Sequence, residues 1–213
     1  MANTPGLQPG ANGSNPLSST TVGISRSMKN TFCLNLDWPM LIDLPELTQL
    51  QSLPPESECK HYAIRLDNNL NSFLEHYQLA IAYPQAFYTP PHTSSFIHID
   101  GDGGSKAKIN YVFGAKGSTM QWFKEKNPGT AQLQDTILNT PYLSYHEKDV
   151  EFIYSAEVKQ PSMVEVGVPH NVVNATDESR WCLSYLLIDL YHKKTVVWKD
   201  ACQRLDKFIV KKN

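Results

Sequence analysis

The chain has 213 residues, 41% hydrophobic and 19% charged, with a formal net charge of −2. That is the length and mixture of one soluble domain with a sizeable core. No basic stripe favours nucleic acid as a partner, and no apolar run approaches the ~20 residues of a membrane span.

The start, "MANTPGLQPG", has neither the charged opening nor the apolar stretch of a signal peptide. Four cysteines, at 33, 59, 182 and 202, form no CxxC and no zinc-like spacing. The expectation is reduced thiols in a cytoplasmic protein, with the sequons at Asn12 and Asn174 as chance matches.

Residues 1–22 are rich in Gly, Pro, Ser, Thr and Asn and offer little apolar surface to offset the entropy of ordering. They predict a flexible arm, or a segment that orders only against a partner. Residues 23–213 are expected to form the folded domain. The prolines of "DWPMLIDLPEL" and "SLPPES" predict irregular chain with short pieces over 37–57. In "RLDNNLNSFLEHYQLAIA", Leu66, Leu70, Phe73, Leu74, Tyr77 and Ala80 share one helical face, predicting a helix over about 66–80.

The period then becomes two. "AFYT", "SFIHI", "KAKINYVF", "STMQWF", "EFIYSA", "SMVEVGV", "HNVV" and "RWCLSYLLIDLY" read as short strands between turn residues. Such density predicts a β barrel or sandwich. In the last segment, "TVVWKDACQRLDKFIVKK", Trp198, Ala201, Cys202, Leu205, Phe208 and Ile209 recur at helical spacing. Lys207, Lys211 and Lys212 stand at its end, where a helix dipole favours cations. A C-terminal helix laid against the sheet follows, making the fold mainly β with flanking helices.

The stretch "FIHIDGDGG" carries the chemistry. In a strand, His98 and Asp100 project from one face, and the glycines after them turn the chain. A calcium loop fails: Gly104 stands where a third oxygen ligand is required and Tyr111 where the bidentate Glu belongs. A phosphate cradle fails for want of a following helix. His170, after Pro169 at a strand start, offers a third ligand. Two histidines and one carboxylate make a facial triad with open positions, suited to non-haem Fe(II) and also to Mn, Co or Zn. His92 has only a serine at plus two and reads as a loop histidine. His61, His76, His146 and His192 read as surface or satisfied core residues.

Ten residues after His170, Arg180 can fork onto a carboxylate, and Ser184 on the same strand face can add a hydroxyl to that anion. On the strand after the turn, Asn110 and Tyr111 face opposite ways. Asn110 is the polar choice to line a pocket, and Trp122 could wall the substrate site, though a core position is the commoner one for such a residue.

The set His98-x-Asp100, His170 and Arg180 resembles the Fe(II)/2-oxoglutarate-dependent oxygenases over roughly residues 85–192. The run "PHNVVNATDESRWCLSYLLIDLYH" is similar to the aspartyl/asparaginyl β-hydroxylase branch. The resemblance implies a double-stranded β-helix, a cupin-like jelly roll. His98, Asp100 and His170 would hold Fe(II), and Arg180 would bind the far carboxylate of 2-oxoglutarate, with Ser184 and Asn110 as further contacts. No catalytic side chain is implied beyond these ligands. The implied reaction uses O2 to convert 2-oxoglutarate to succinate and to hydroxylate a substrate, which the branch suggests is an amino-acid or protein side chain. The chain departs from the family in two places. The serine follows the arginine by four positions rather than two, and Asp100 is a carboxylate ligand that the hydroxylase branch usually lacks. Two other readings stand beside this one: a non-catalytic structural or interaction protein on the same scaffold, attached through its arm, and a cupin-type metal enzyme without cosubstrate.

Overall fold

The computed structural model describes residues 31–42, 45–101, 103–136, 138–159 and 161–211. The arm expected over residues 1–22 and the domain start at Gly23 lie outside them. In chain order the elements are β1 (Cys33–Asn35), α1 (Pro45–Gln51), β2 (Lys60–Ala63), α2 (Asn68–Glu75), β3 (Leu79–Thr89), β4 (Thr93–Ser94), β5 (Ile97–Asp100), β6 (Ala107–Phe113), β7 (Thr119–Glu125), β8 (Gln132–Asp135), β9 (Pro141–Tyr145), β10 (Val150–Glu157), β11 (Ser162–Glu165), β12 (His170–Asn174), β13 (Arg180–Asp189) and α3 (Trp198–Arg204).

The strand pairings are antiparallel. One sheet runs β1-β11-β6-β13-β3-β2, and the other runs β10-β7-β12-β5-β9-β8 with β4 added to β12. Strands β3, β6, β11 and β13 thus fall in the first sheet, and β5, β7, β10 and β12 in the second. This is the double-stranded β-helix, a cupin-like jelly roll.

Alternation on the first sheet separates structure from chemistry. Ile109 and Tyr111 of β6 and Trp181, Leu183, Tyr185 and Leu187 of β13 pack into a core with Leu70 and Leu74 of α2 and Ala201 of α3. Their neighbours Lys108, Asn110, Arg180 and Cys182 therefore face the other way, into the space between the sheets. There a second apolar cluster forms around Trp122, Val112, Met120, Val164 and Cys182. No helix among the described residues is long and apolar enough to cross a membrane.

Both helices are shorter than their periodicity predicts. Asp67 caps α2, its side chain accepting from the Leu70 amide at 2.9 Å, so Leu66 is left outside and 44% exposed. At the far end Gln78 adopts φ +57°, and Leu79 enters β3 directly. The helix-like spacing of Tyr77 and Ala80 spans that junction. Likewise α3 stops at Arg204. Leu205, Phe208 and Ile209 reach the core through a 3-10 turn over Asp206–Phe208 and a bridge from Ile209 to Leu36.

Trp122 ties this fold to the site. It is fully buried, its Nε1–H donates to the Glu165 carbonyl at 2.8 Å, and its backbone stands opposite His170. Trp122→Ala is expected to lower unfolding stability by about 3–5 kcal/mol in a denaturant titration, the range for large aromatic truncations. Trp122→Phe is expected to cost less.

Candidate metal centre

Two strands and two turns build the centre. On the β5–β12 ladder His170 stands directly opposite His98, with ring centroids 4.5 Å apart. Asp100 lies two residues beyond His98 on the same face, while Ile97 and Ile99 are buried on the opposite one. Gly101, at φ +74°, turns the chain away immediately after Asp100. Gly167 lets the loop before β12 press on this turn, since a Cβ there would collide with the Gly104 carbonyl.

One nitrogen or oxygen from each of His98, Asp100 and His170 lies within 4.8 Å of the others. Both imidazoles are oriented by their backbone. Nδ1 of His98 lies 3.0 Å from the Phe96 carbonyl, and Nδ1 of His170 lies 2.8 Å from the Val168 carbonyl. A carbonyl only accepts, so each Nδ1 carries a proton and Nε2 is the nitrogen each ring can turn to a metal. This arrangement of a ring N–H on a carbonyl and a free Nε2 is what metal-ligating histidines use. His98 Nε2 is 3.4 Å from Asp100 Oδ1. Burial, reinforced by the neighbouring His98, pushes the His170 pKa down to about 4 against the opposing pull of Asp100. That ring is therefore uncharged at neutral pH. Burial alone would raise the Asp100 carboxyl. The attraction of Lys108, helped by His98 and His170, reverses this and holds it well below the usual carboxylate range. A donor set of two imidazoles and one carboxylate could hold a divalent ion with positions to spare.

The three residues open onto a cavity of about 820 Å³ that Arg180 and Asn110 also line. Arg180 comes from the opposite sheet and is 1% exposed, and its Nε has no hydrogen-bond partner. The Asn110 Oδ1 is also buried without a partner. Ser184 does not join them. It shares the strand face but lies opposite Asn110 in register, beyond Cys182, and is not part of the cavity wall. Four positions along the strand place its backbone roughly 13 Å from that of Arg180.

Two wall residues escaped the sequence reading. Lys108 places Nζ 2.7 Å from Asp100 Oδ2. The signal was present: Lys108 stands two before Asn110 and so shares its face. His61 was expected to be a surface or satisfied core residue. It lines the cavity instead, with Nε2 buried and unpartnered, and burial lowers its pKa. At the mouth, Phe96 and Tyr142 stand 5.2 Å apart, and Phe96 is 55% exposed. His92 is remote from the centre and pairs with Asp177 at 2.9 Å.

No family model and no curated protein sequence matches the chain. Solved structures similar to it include Peruvianin-I, a cysteine peptidase from Thevetia peruviana latex, at 13% identity and a TM-score of 0.35, covering 74% of this chain and 89% of that one. Another is E. coli ycfD, at 11% identity and 0.39, covering 72% and 48%. A third is the formate complex of Lactobacillus farciminis oxalate decarboxylase, at 9% and 0.32, covering 70% and 33%. The chain spans half or less of the length of the latter two.

Proposed function

We propose that the chain is an Fe(II)- and 2-oxoglutarate-dependent dioxygenase that hydroxylates a substrate entering past Phe96 and Tyr142. His98, Asp100 and His170 would hold the iron. Their fit rests on the two imidazoles whose Nδ1 atoms are held by backbone carbonyls, leaving Nε2 for a metal, and on the ionised carboxylate beside them. When bound, the iron supplies the activation of O2, and the balanced reaction converts substrate C–H, O2 and 2-oxoglutarate into C–OH, succinate and CO2.

The observation that carries the reading is Arg180. A guanidinium that is 1% exposed, with an unpartnered Nε, lines the same cavity as the triad. Buried cations call for an anion, and a guanidinium forks onto a carboxylate with two parallel hydrogen bonds. A dicarboxylic keto acid meets both demands, with one end at the metal and the other at Arg180. Asn110 offers its amide to the same ligand from the neighbouring strand. Phe87, Met120, Val166 and Val172 give the cavity apolar walls that limit water around the reacting centre. A cupin-type metal enzyme without cosubstrate would leave Arg180 with no anion to bind.

The second reading, a non-catalytic interaction protein on this scaffold, is favoured by one observation: Lys108 already gives Asp100 a cation within the chain. Calorimetric titration separates the two. Protein loaded with Mn(II), a redox-inert stand-in, is expected to bind one 2-oxoglutarate per chain. Stoichiometric Mn(II) with no heat from 2-oxoglutarate overturns the oxygenase reading.

A further inference from the structure

Lys108 is one of the few buried charges among the described residues, its side chain 7% exposed. Lysine is almost never buried unless paired. Its pair is Asp100, and the two oxygens of that carboxylate are differently engaged. Oδ2 meets the Lys108 ammonium at 2.7 Å, while Oδ1 faces His98 Nε2 at 3.4 Å. The ammonium also sits 5.4 Å from the centroid of the Phe87 ring, a cation–π contact from the adjoining wall. Lys108 is on β6, in the opposite sheet from β5, so the contact spans the cavity between the sheets.

We infer that Lys108 is a positioning residue that engages the outer oxygen of Asp100, holding the carboxylate to ligation through Oδ1 alone and weakening the site's grip on a divalent ion. The inference rests on the metal-binding reading above. A carboxylate with both oxygens free can chelate an ion, as aspartates do at calcium sites. Here chelation would take a coordination position that the cosubstrate and O2 need. Engaging Oδ2 with an ammonium removes that option. The same ammonium, only 7% exposed, also repels the ion, because charges act more strongly away from bulk water. A cation that close to a ligand carboxylate offsets part of its charge and so lowers its affinity for a metal ion.

Co(II) reports both affinity and coordination, independently of turnover. Lys108→Met keeps the bulk and removes the charge and the donor. With the repelling charge gone, it is expected to bind Co(II) about tenfold more tightly than the wild type, with an altered visible d–d spectrum as Asp100 takes a second position. Lys108→Arg retains a cationic donor and is expected to keep the wild-type affinity and to restore most of the spectrum. Thermal unfolding of each variant controls for folding, and Lys108→Gln stands in if the methionine variant does not fold. Wild-type affinity and spectrum in a folded Lys108→Met or Lys108→Gln overturn the inference alone. A wild-type chain that binds no Co(II) overturns the metal-binding reading, and this inference with it.

Discussion

His170→Ala is expected to abolish stoichiometric metal binding, and with it the proposed 2-oxoglutarate turnover. Losing an outer-shell partner of a metal ligand costs about 10–100-fold in affinity, so losing a ligand of a three-donor site exceeds that range. Equilibrium dialysis against Mn(II) or Co(II) measures it. His98→Ala and Asp100→Ala are expected to behave alike, because each removes one of three donors within 4.8 Å of the others. His170 also leaves a signature that needs no metal. Its folded pKa of about 4 lies below the value near 6.5 of an unfolded histidine. Below pH 6.5 the unfolded chain therefore binds a proton that the folded chain refuses. The stability involved is fully present above pH 6.5 and is lost as pH falls toward 4. The shift corresponds to roughly 3 kcal/mol. Denaturant titrations with a chelator present, at pH 7 and pH 4, are expected to show this loss in the wild type. It should be largely absent in His170→Ala.

Arg180→Met separates cosubstrate from metal. It is expected to leave Mn(II) binding near the wild-type value while weakening 2-oxoglutarate by about 2–5 kcal/mol, the cost of removing one partner from a buried charge pair. Calorimetry on the Mn(II)-loaded protein reads this directly. Arg180→Lys is expected to rescue only part of the loss, since an ammonium cannot reproduce the two-pronged geometry of the guanidinium. The variant is also expected to fold, because it removes a buried cation whose Nε has no partner within the chain.

Much of this centre is legible in the sequence because strands have a strict period. His98 and Asp100 must share a face, and Arg180 must share one with Cys182. What local pattern does not show is register. His170 lies 72 positions from His98, and only the β5–β12 ladder sets them opposite each other. Lys108 was missed for a related reason. A lysine in "KAKINYVF" reads as the solvent face of an alternating strand. But β6 is a central strand, with α2 and α3 contributing to the core on one face and the cavity on the other, so both of its faces are buried. The β8–β9 hairpin is not legible because β8, Gln132–Asp135, is exposed along its whole length and carries no apolar alternation. Helix α2 was drawn too long because apolar spacing runs on from the helix into β3, while its ends are set by the Asp67 cap and the positive φ of Gln78. Ser184 shows the limit of face-sharing as an argument: it lies on the expected face, four positions from Arg180, yet does not line the cavity.

The most direct test of the account is an anaerobic titration of the Fe(II)-loaded protein with 2-oxoglutarate, followed by visible absorption. The account predicts a charge-transfer band that saturates at one 2-oxoglutarate per chain, is absent in His170→Ala, and requires far higher 2-oxoglutarate in Arg180→Met. Iron bound one per chain through His98, Asp100 and His170, with no band and no bound 2-oxoglutarate, would contradict it.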